Sequence, residues 1–391
     1  MTTQKTHLGF LDGLRGLAAL WVLVGHLCFF NQLHIPLISS PEFAVDLFIL
    51  ISGFLMYYHA ALRNNKEPMN VSSSWFLFWI RRFFRIAPLF YVALLIGFLI
   101  GPAIVDYWAA LREAGDKPLH LYKYTDHSMA NILSHVTFAF GLMPDYHDRS
   151  SLPDWSIGLE MQFYALFPFM FLAMQKWDKI KVTALMILAC VVAWILIEDY
   201  MRGFPLLPSL ILLKLNLFLS GMLVAAAYFA NSLSERFALV FVALMAVIVP
   251  LHFPFGIASA TLRILFVLML AAFALHDRLA IPPLLSNAVN RISCFLGRPV
   301  FQFLGDASYG CYLLHFFVAI PVCGWILINF GDEWTPMMRM GLSSLIVIPA
   351  SYALAWLAYL YVEKPGIAFG KLLVKSIGKR PKDALALPPS S

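Results

Sequence analysis

The sequence predicts an all-α integral membrane protein of about ten transmembrane helices, with cytoplasmic N- and C-termini and short re-entrant or interfacial helices between spans. Three observations lead there. Hydrophobic residues make up 61% of the 391 and charged residues only 13%, where a soluble domain carries about a quarter charged. Apolar runs of a length that crosses about 30 Å of hydrocarbon recur along the whole chain and read as spanning helices rather than barrel strands. The basic residues also sort to one side: with the N-terminus inside, 19 of the 28 lysines and arginines fall in inner segments and six in outer ones.

Spans are expected at 13–33, 43–62, 86–105, 155–174, 182–198, 208–230, 237–256, 260–276, 301–328 and 339–362. The first follows a polar stretch, Met1 to Gly9, with no small-residue cleavage site leading into a soluble domain, so it is expected to stay in the mature protein. The second enters near Asp46, and the basic cluster Arg81 to Arg85 sets the inner end of the third. Met129 to Met143 is apolar, yet as a helix it reaches only about 22 Å, and Asn131, Ser134, His135 and Thr137 make it partly polar. It is expected as a re-entrant or surface helix on the outer side; a crossing there would put Lys176, Lys179 and Lys181 outside. Pro153 and Asp154 can start the fourth span, with Trp155 at the interface. Lys176 to Lys181, Arg202 and Arg236 then punctuate the runs up to the seventh span. Ile281 to Leu296 reads as a cytoplasmic interfacial helix before the ninth, and Glu363-Lys364-Pro365 ends the tenth. Residues 1–370 form one transmembrane domain on this reading, and 371–391 a short, basic, disordered cytoplasmic tail.

The net charge of +6 does not point to nucleic acid, because the basic residues punctuate apolar spans and form no stripe with interleaved aromatics. The five cysteines have no C-x-x-C spacing and sit in or near apolar runs. Buried, unreactive thiols are expected, with no disulfide framework and no metal site. No internal repeat and no low-complexity linker divides the chain.

Arg15 and His26 lie eleven residues apart on the first span. Eleven residues turn a helix about 20° past three full turns, which puts both groups on one face about 16 Å apart. Ionisable groups at membrane depth persist where they line a polar cavity or find a partner. The plainer alternative is a packing histidine and an arginine that snorkels to the surface, with Asp12 one turn before Arg15 as its partner. On the second span Asp46 precedes Ser52-Gly53, a pair suited to close helix packing. Arg82 and Arg85 are neighbours on a helix, and their planar forks suit phosphate oxygens; the cluster also serves simply to set topology. Glu160 falls about a turn and a half inside the fourth span, on the face of Tyr164, as a sugar-binding pocket would need. Ser308, Tyr312 and His315 form one polar stripe, which could equally be interhelical glue. Glu363 could pair with Arg82 and Arg85, or only end a helix.

Taken in order along the chain, these elements resemble the membrane-bound acyltransferase-3 family, which includes O-antigen acetylases and exopolysaccharide and nodulation-factor acyltransferases. The matching residues are Leu11-Asp12-Gly13-Leu14-Arg15-Gly16 through His26, Val45-Asp46-Leu47-Phe48 with Ser52-Gly53-Phe54, and Arg82-Phe83-Phe84-Arg85-Ile86. Trp155-Ser156, Glu160, Phe163-Tyr164, Ser308-Tyr309, His315 and Glu363-Lys364-Pro365 complete the set, which covers about residues 8 to 370. Ile157-Gly158-Leu159 departs from the usual small polar residue and Val before the Glu, which bears on substrate shape. With only about 20 residues after the acyltransferase region, the chain reads as the stand-alone form, without the appended hydrolase-like domain of many relatives.

The resemblance implies a multi-pass protein of the bacterial cytoplasmic (inner) membrane that moves an acyl group, commonly acetyl from acetyl-CoA or another acyl-CoA, onto a hydroxyl of a carbohydrate or glycolipid acceptor. It implies catalytic roles for His26, Glu160 and Arg15, and donor binding by Arg82 and Arg85 with help from Arg15. Acceptor binding is assigned on the same reading to Asp46, Trp155, Tyr164, Tyr309 and His315. The competing function is a secondary transporter whose ion path runs through Arg15, His26, Asp46, Glu160, Lys214, Arg263 and His315. Against it stands the lack of an inverted repeat or of matching Gly/Pro-broken spans.

Overall fold

The computed structural model describes residues 8–204, 207–251, 256–279 and 282–378, and every regular element among them is helical. α1 (Gly9–Phe30), α2 (Pro41–Arg63) and α3 (Ser72–Ala114) come first, then the short α4 (Tyr122–Thr125) and α5 (Met129–Val136) and a 3₁₀ turn at Ala139–Leu142. The middle of the chain forms α6 (Trp155–Lys176), α7 (Lys179–Leu196), α8 (Glu198–Arg202), α9 (Leu215–Phe229), α10 (Leu233–Val247) and α11 (Ile257–Leu275). The last part forms α12 (Pro283–Leu296), α13 (Pro299–Asp306), α14 (Ser308–Leu314), α15 (Phe316–Phe330) and α16 (Pro336–Ala358). A π-helical turn at Tyr359–Glu363 joins α16 to α17 (Lys364–Gly378).

Seven helices among the described residues are long and apolar enough to cross a membrane, or eight if α14 and α15, bent by 47° at His315, make one broken span. Each of the ten expected spans contains a helix, but α9 and α10 have 15 residues each. At about 22 Å they fall short of the hydrocarbon thickness, so the count of ten does not follow. The reasons are local: α9 begins only after Lys214, and α10 stops ahead of Pro250, whose predecessor is biased out of helical geometry.

Met129 to Met143 is indeed broken into a two-turn helix and a 3₁₀ turn, too short to span. The stretch expected at 281–296 is α12, a separate helix whose Cys294 is exposed, unlike the four other free cysteines, which are buried. The expected tail begins as the end of α17, so residues 371–378 are helical; 379–391 lie outside the described residues.

α2 and α9 cross at a point where neither backbone leaves room for a side chain. A Cβ on Gly53 would sit 2.1 Å from the Phe218 carbonyl oxygen, and one on Gly221 would sit 2.0 Å from that of Leu50. Such close approach is how helices associate where apolar surface alone gives no preference. Beside it, the Phe163 and Phe218 rings stack at 3.9 Å and tie α6 to α9. α1 packs against α2, α13 and α14 and carries the ionisable pair through the middle of the bundle.

Candidate active site

A cavity of about 1070 Å³ opens between α1, α2, α3, α6 and α14 and reaches α9 and the residues after α11. Helical periodicity selects what faces it. Arg82 and Arg85, one turn apart on α3, line it, whereas the adjacent Arg81 is turned by about 100° and pairs with Glu67 at 2.5 Å. Arg15 lines it from α1, with Asp12 4.0 Å away on the preceding turn. The Arg82 guanidinium lies over the rings of Phe78 and Tyr164, at 5.6 and 5.9 Å. Its Nε is buried without a hydrogen-bond partner among the described residues, and neither Arg82 nor Arg85 has an ion-pair partner there. Arg63, His59 and Arg278 also line the cavity and are not among the residues the sequence singles out for the site; Arg63 and Arg278 flank apolar runs, where a topology role is explanation enough, and His59 sits within the second expected span.

Glu160 projects from α6 into the same cavity, bonded to the tyrosine over which Arg82 lies. Ser52 Oγ donates to Glu160 Oε1 at 3.0 Å, and the Tyr164 hydroxyl donates to the same oxygen. The sequence suggested close packing for Ser52-Gly53; the glycine does this, while the serine holds the carboxylate. Deeper in, Ser156 Oγ and the Tyr312 hydroxyl share a hydrogen bond of 2.7 Å, and both residues line the cavity.

His26 is not on that lining. It lies about three turns beyond Arg15 on α1, bonded to His315, which follows Tyr312 by three residues on the broken span. His315 is fully buried, and its Nδ1 stands 3.0 and 2.9 Å from the carbonyl oxygens of Cys311 and Tyr312, capping the end of α14. Carbonyls only accept, so Nδ1 carries the proton and Nε2 of the neutral ring is an acceptor. That acceptor meets His26 Nδ1 at 3.1 Å, which therefore donates. The remaining nitrogen of His26, Nε2, is left with its lone pair. Phe30 and Phe316 hold the ring, with centroids 6.2 and 4.9 Å away.

Three residues expected to bind acceptor are placed elsewhere. Asp46 is 1% exposed, and its two carboxylate oxygens accept from Lys214 Nζ at 2.6 Å and Arg263 Nε at 2.8 Å; it ties α2 to α11 and to the start of α9. Trp155 is buried at the start of α6 and is not on the lining of this cavity; Asp154 beside it accepts from Ser150 Oγ at 2.7 Å and lies 3.6 Å from His135 Nε2. His315 is sealed inside the bundle against His26. Tyr309 and Tyr164 do line the cavity, with the Tyr309 hydroxyl donating to the Ile86 carbonyl at 2.9 Å. Glu363 is buried near Arg85 and Arg15, which act on it electrostatically, but it forms no ion pair with Arg82 or Arg85.

Several membrane-length helices around one polar, cationic cavity, with a hydrogen-bonded histidine pair beside it, define a multi-pass membrane protein equipped for polar chemistry at membrane depth. The model of one family, described as an acyltransferase domain, matches residues 8–356. The chain belongs to this family, acyltransferase-3. It is 26% identical over 181 residues to the peptidoglycan O-acetyltransferase OatA of Listeria monocytogenes, a stretch covering 45% of this chain and 26% of that protein. It is 30% identical over 158 residues to a Komagataeibacter xylinus protein named as a membrane-bound transacylase, BcsY, over 40% of this chain and 35% of the relative. The chain thus spans about a quarter and about a third of the lengths of these two relatives. No solved structure matches it.

Proposed function

We propose that this protein transfers an acyl group, acetyl foremost, from an acyl-CoA in the cytoplasm to a hydroxyl of a carbohydrate or glycolipid acceptor, within a bacterial cytoplasmic membrane and with both termini inside. The observation that carries the reading is the half-buried pair Arg82 and Arg85, which line one cavity and have no ion-pair partner among the described residues. Buried or half-buried guanidinium groups are costly unless an anion completes them, and planar forks favour phosphate. The names of both relatives, one an O-acetyltransferase and one a transacylase, support the same class.

On this reading the donor's phosphates rest on Arg82 and Arg85, with Arg15 below, and its thioester end points toward Ser156 and Tyr312. His26 Nε2 takes the proton of the acceptor hydroxyl as that oxygen attacks the thioester carbonyl carbon. The carbon–sulfur bond breaks, and the thiolate receives the proton back from His26, so an ester and free CoA thiol result. His315 fixes the tautomer that leaves Nε2 basic. On this mechanism the Tyr312–Ser156 contact, at the cavity lining one turn before His315, parts when the thioester arm is seated. Glu160, held by Ser52 and Tyr164, orients the reacting groups.

Detergent-purified protein given labelled acetyl-CoA and candidate glycans tests the proposal by release of CoA thiol and by label on the glycan. His26→Ala elutes as the folded protein and transfers no label. Transfer at the wild-type rate by that variant overturns the mechanism, and a wild-type protein that releases no thiol overturns the donor.

The transporter reading gains nothing from the structure. Its residues fall into separate groups, with Asp46, Lys214 and Arg263 locked together away from the cavity lining.

A further inference from the structure

The arginines of the cavity occupy two walls. Arg82 and Arg85 project from α3, and Arg63, at the end of α2, is close enough to Arg82 to act on it electrostatically. Arg278 stands on the other wall, just past α11, with its guanidinium carbon 4.0 Å from the centroid of the Tyr228 ring at the end of α9. Tyr228 is in turn braced edge-on by Tyr58 of α2 at 5.3 Å, and both tyrosines line the cavity. The backbone of Arg278 is tethered as well, since Arg236 Nη1 donates to its carbonyl oxygen at 3.2 Å.

Arg278 is exposed, yet its guanidinium is fixed in place. No carboxylate pairs with Arg278 among the described residues; an aromatic face and a backbone tether fix it instead. Cation–π seating holds the guanidinium without consuming its N–H donors, which stay available to an anion in the plane of the group. The lining as a whole carries five arginines against two carboxylates, Asp12 and Glu160. One phosphate group would need only one of the walls. Two cationic walls facing a common space match a donor with two separated phosphate groups.

We propose that Arg278, seated on Tyr228, reads the ribose 3′-phosphate of the donor while Arg82 and Arg85 hold its pyrophosphate, so that the enzyme selects acyl-CoA over thioesters lacking the 3′-phosphate. The assignment rests on the acyl-CoA reading above and names the part of the donor that sets its specificity. Arg278 acts on binding, not on the acyl transfer itself, so its effect belongs in KM.

The test compares acetyl-CoA with acetyl-dephospho-CoA as donors for the full-length purified protein. A charge-assisted hydrogen bond to phosphate predicts a KM for the dephospho donor roughly tenfold or more above that for acetyl-CoA. In Arg278→Ala and Arg278→Gln the KM for acetyl-CoA rises by a similar factor, and the loss is several-fold smaller with the dephospho donor. Equal KM values for both donors in the wild type overturn the proposal and leave the acyl-CoA reading standing. The same follows if Arg278→Ala and Arg278→Gln weaken both donors alike. If the wild type releases thiol from neither donor, the acyl-CoA reading falls and takes this one with it. The wild-type comparison needs no variant to fold.

Discussion

His26 and His315 are 289 positions apart and share one hydrogen bond. On the proposed mechanism the second ring is a positioning residue. His315→Asn can still accept from His26 Nδ1, whereas His315→Leu cannot, so the asparagine variant should retain more activity. His315→Leu should lower kcat about ten- to a hundredfold with little change in the KM for donor, since loss of the partner that orients a reacting group typically costs that much. The pH–rate profile gives an independent readout. A proton on His26 Nε2 removes the base, so kcat falls as the pH is lowered, with an apparent pKa that belongs to the coupled pair. In His315→Leu that acid limb moves; an unmoved limb with unchanged kcat would reduce His315 to a packing residue. The spacing of Arg15 and His26 was legible in sequence because a helix turns by a fixed angle, but not that Arg15 lines the cavity while His26 turns to His315. His315 was visible only as part of a polar stripe, and which nitrogen it holds on His26 depends on a bend at the end of α14.

At the scale of elements, the buried Asp46–Lys214–Arg263 group shows how much of a charged residue's surroundings a sequence leaves open. An aspartate near the outer end of a span suggests contact with substrate, yet here each carboxylate oxygen is taken by a cation. Removing one member of a buried ionic group leaves uncompensated charge and costs about 3–5 kcal/mol. Asp46→Asn should therefore lower the thermal midpoint and the yield of monodisperse protein. An Asp46→Asn protein as stable as the wild type, with weakened acceptor binding alone, would return Asp46 to the site. α3 carries the opposite lesson. Its basic cluster was readable as phosphate-binding or topology-setting, and the 43-residue helix makes room for both: Arg82 and Arg85 face the cavity while Arg81 faces Glu67.

For the whole molecule, the proposed orientation puts α12 and the mouth of the arginine-lined cavity on the cytoplasmic side. Cys294 on α12 is the exposed thiol among the five free cysteines, so it reports that side without engineering. A membrane-impermeant maleimide should leave Cys294 unlabelled in intact spheroplasts and label it once the membrane is opened. Labelling from outside would invert the topology and place the cavity mouth away from the cytoplasmic acyl-CoA pool.

The sequence by itself determined the all-helical membrane fold and the family, and it marked the arginines of α1 and α3 that line the cavity, because hydropathy and helical periodicity are written within single segments. The tertiary structure alone decided that Ser52 and Tyr164 share Glu160, that Asp46 is sealed by two cations, and that Arg278 sits on Tyr228 across the cavity from Arg82. It also decided that the helices within two of the expected spans have only 15 residues each. Those facts join residues from distant helices, and helices meet where backbones can approach closely, as at Gly53 and Gly221. Single-segment patterns record which side of a helix is polar, but which polar sides face one another is settled only by packing.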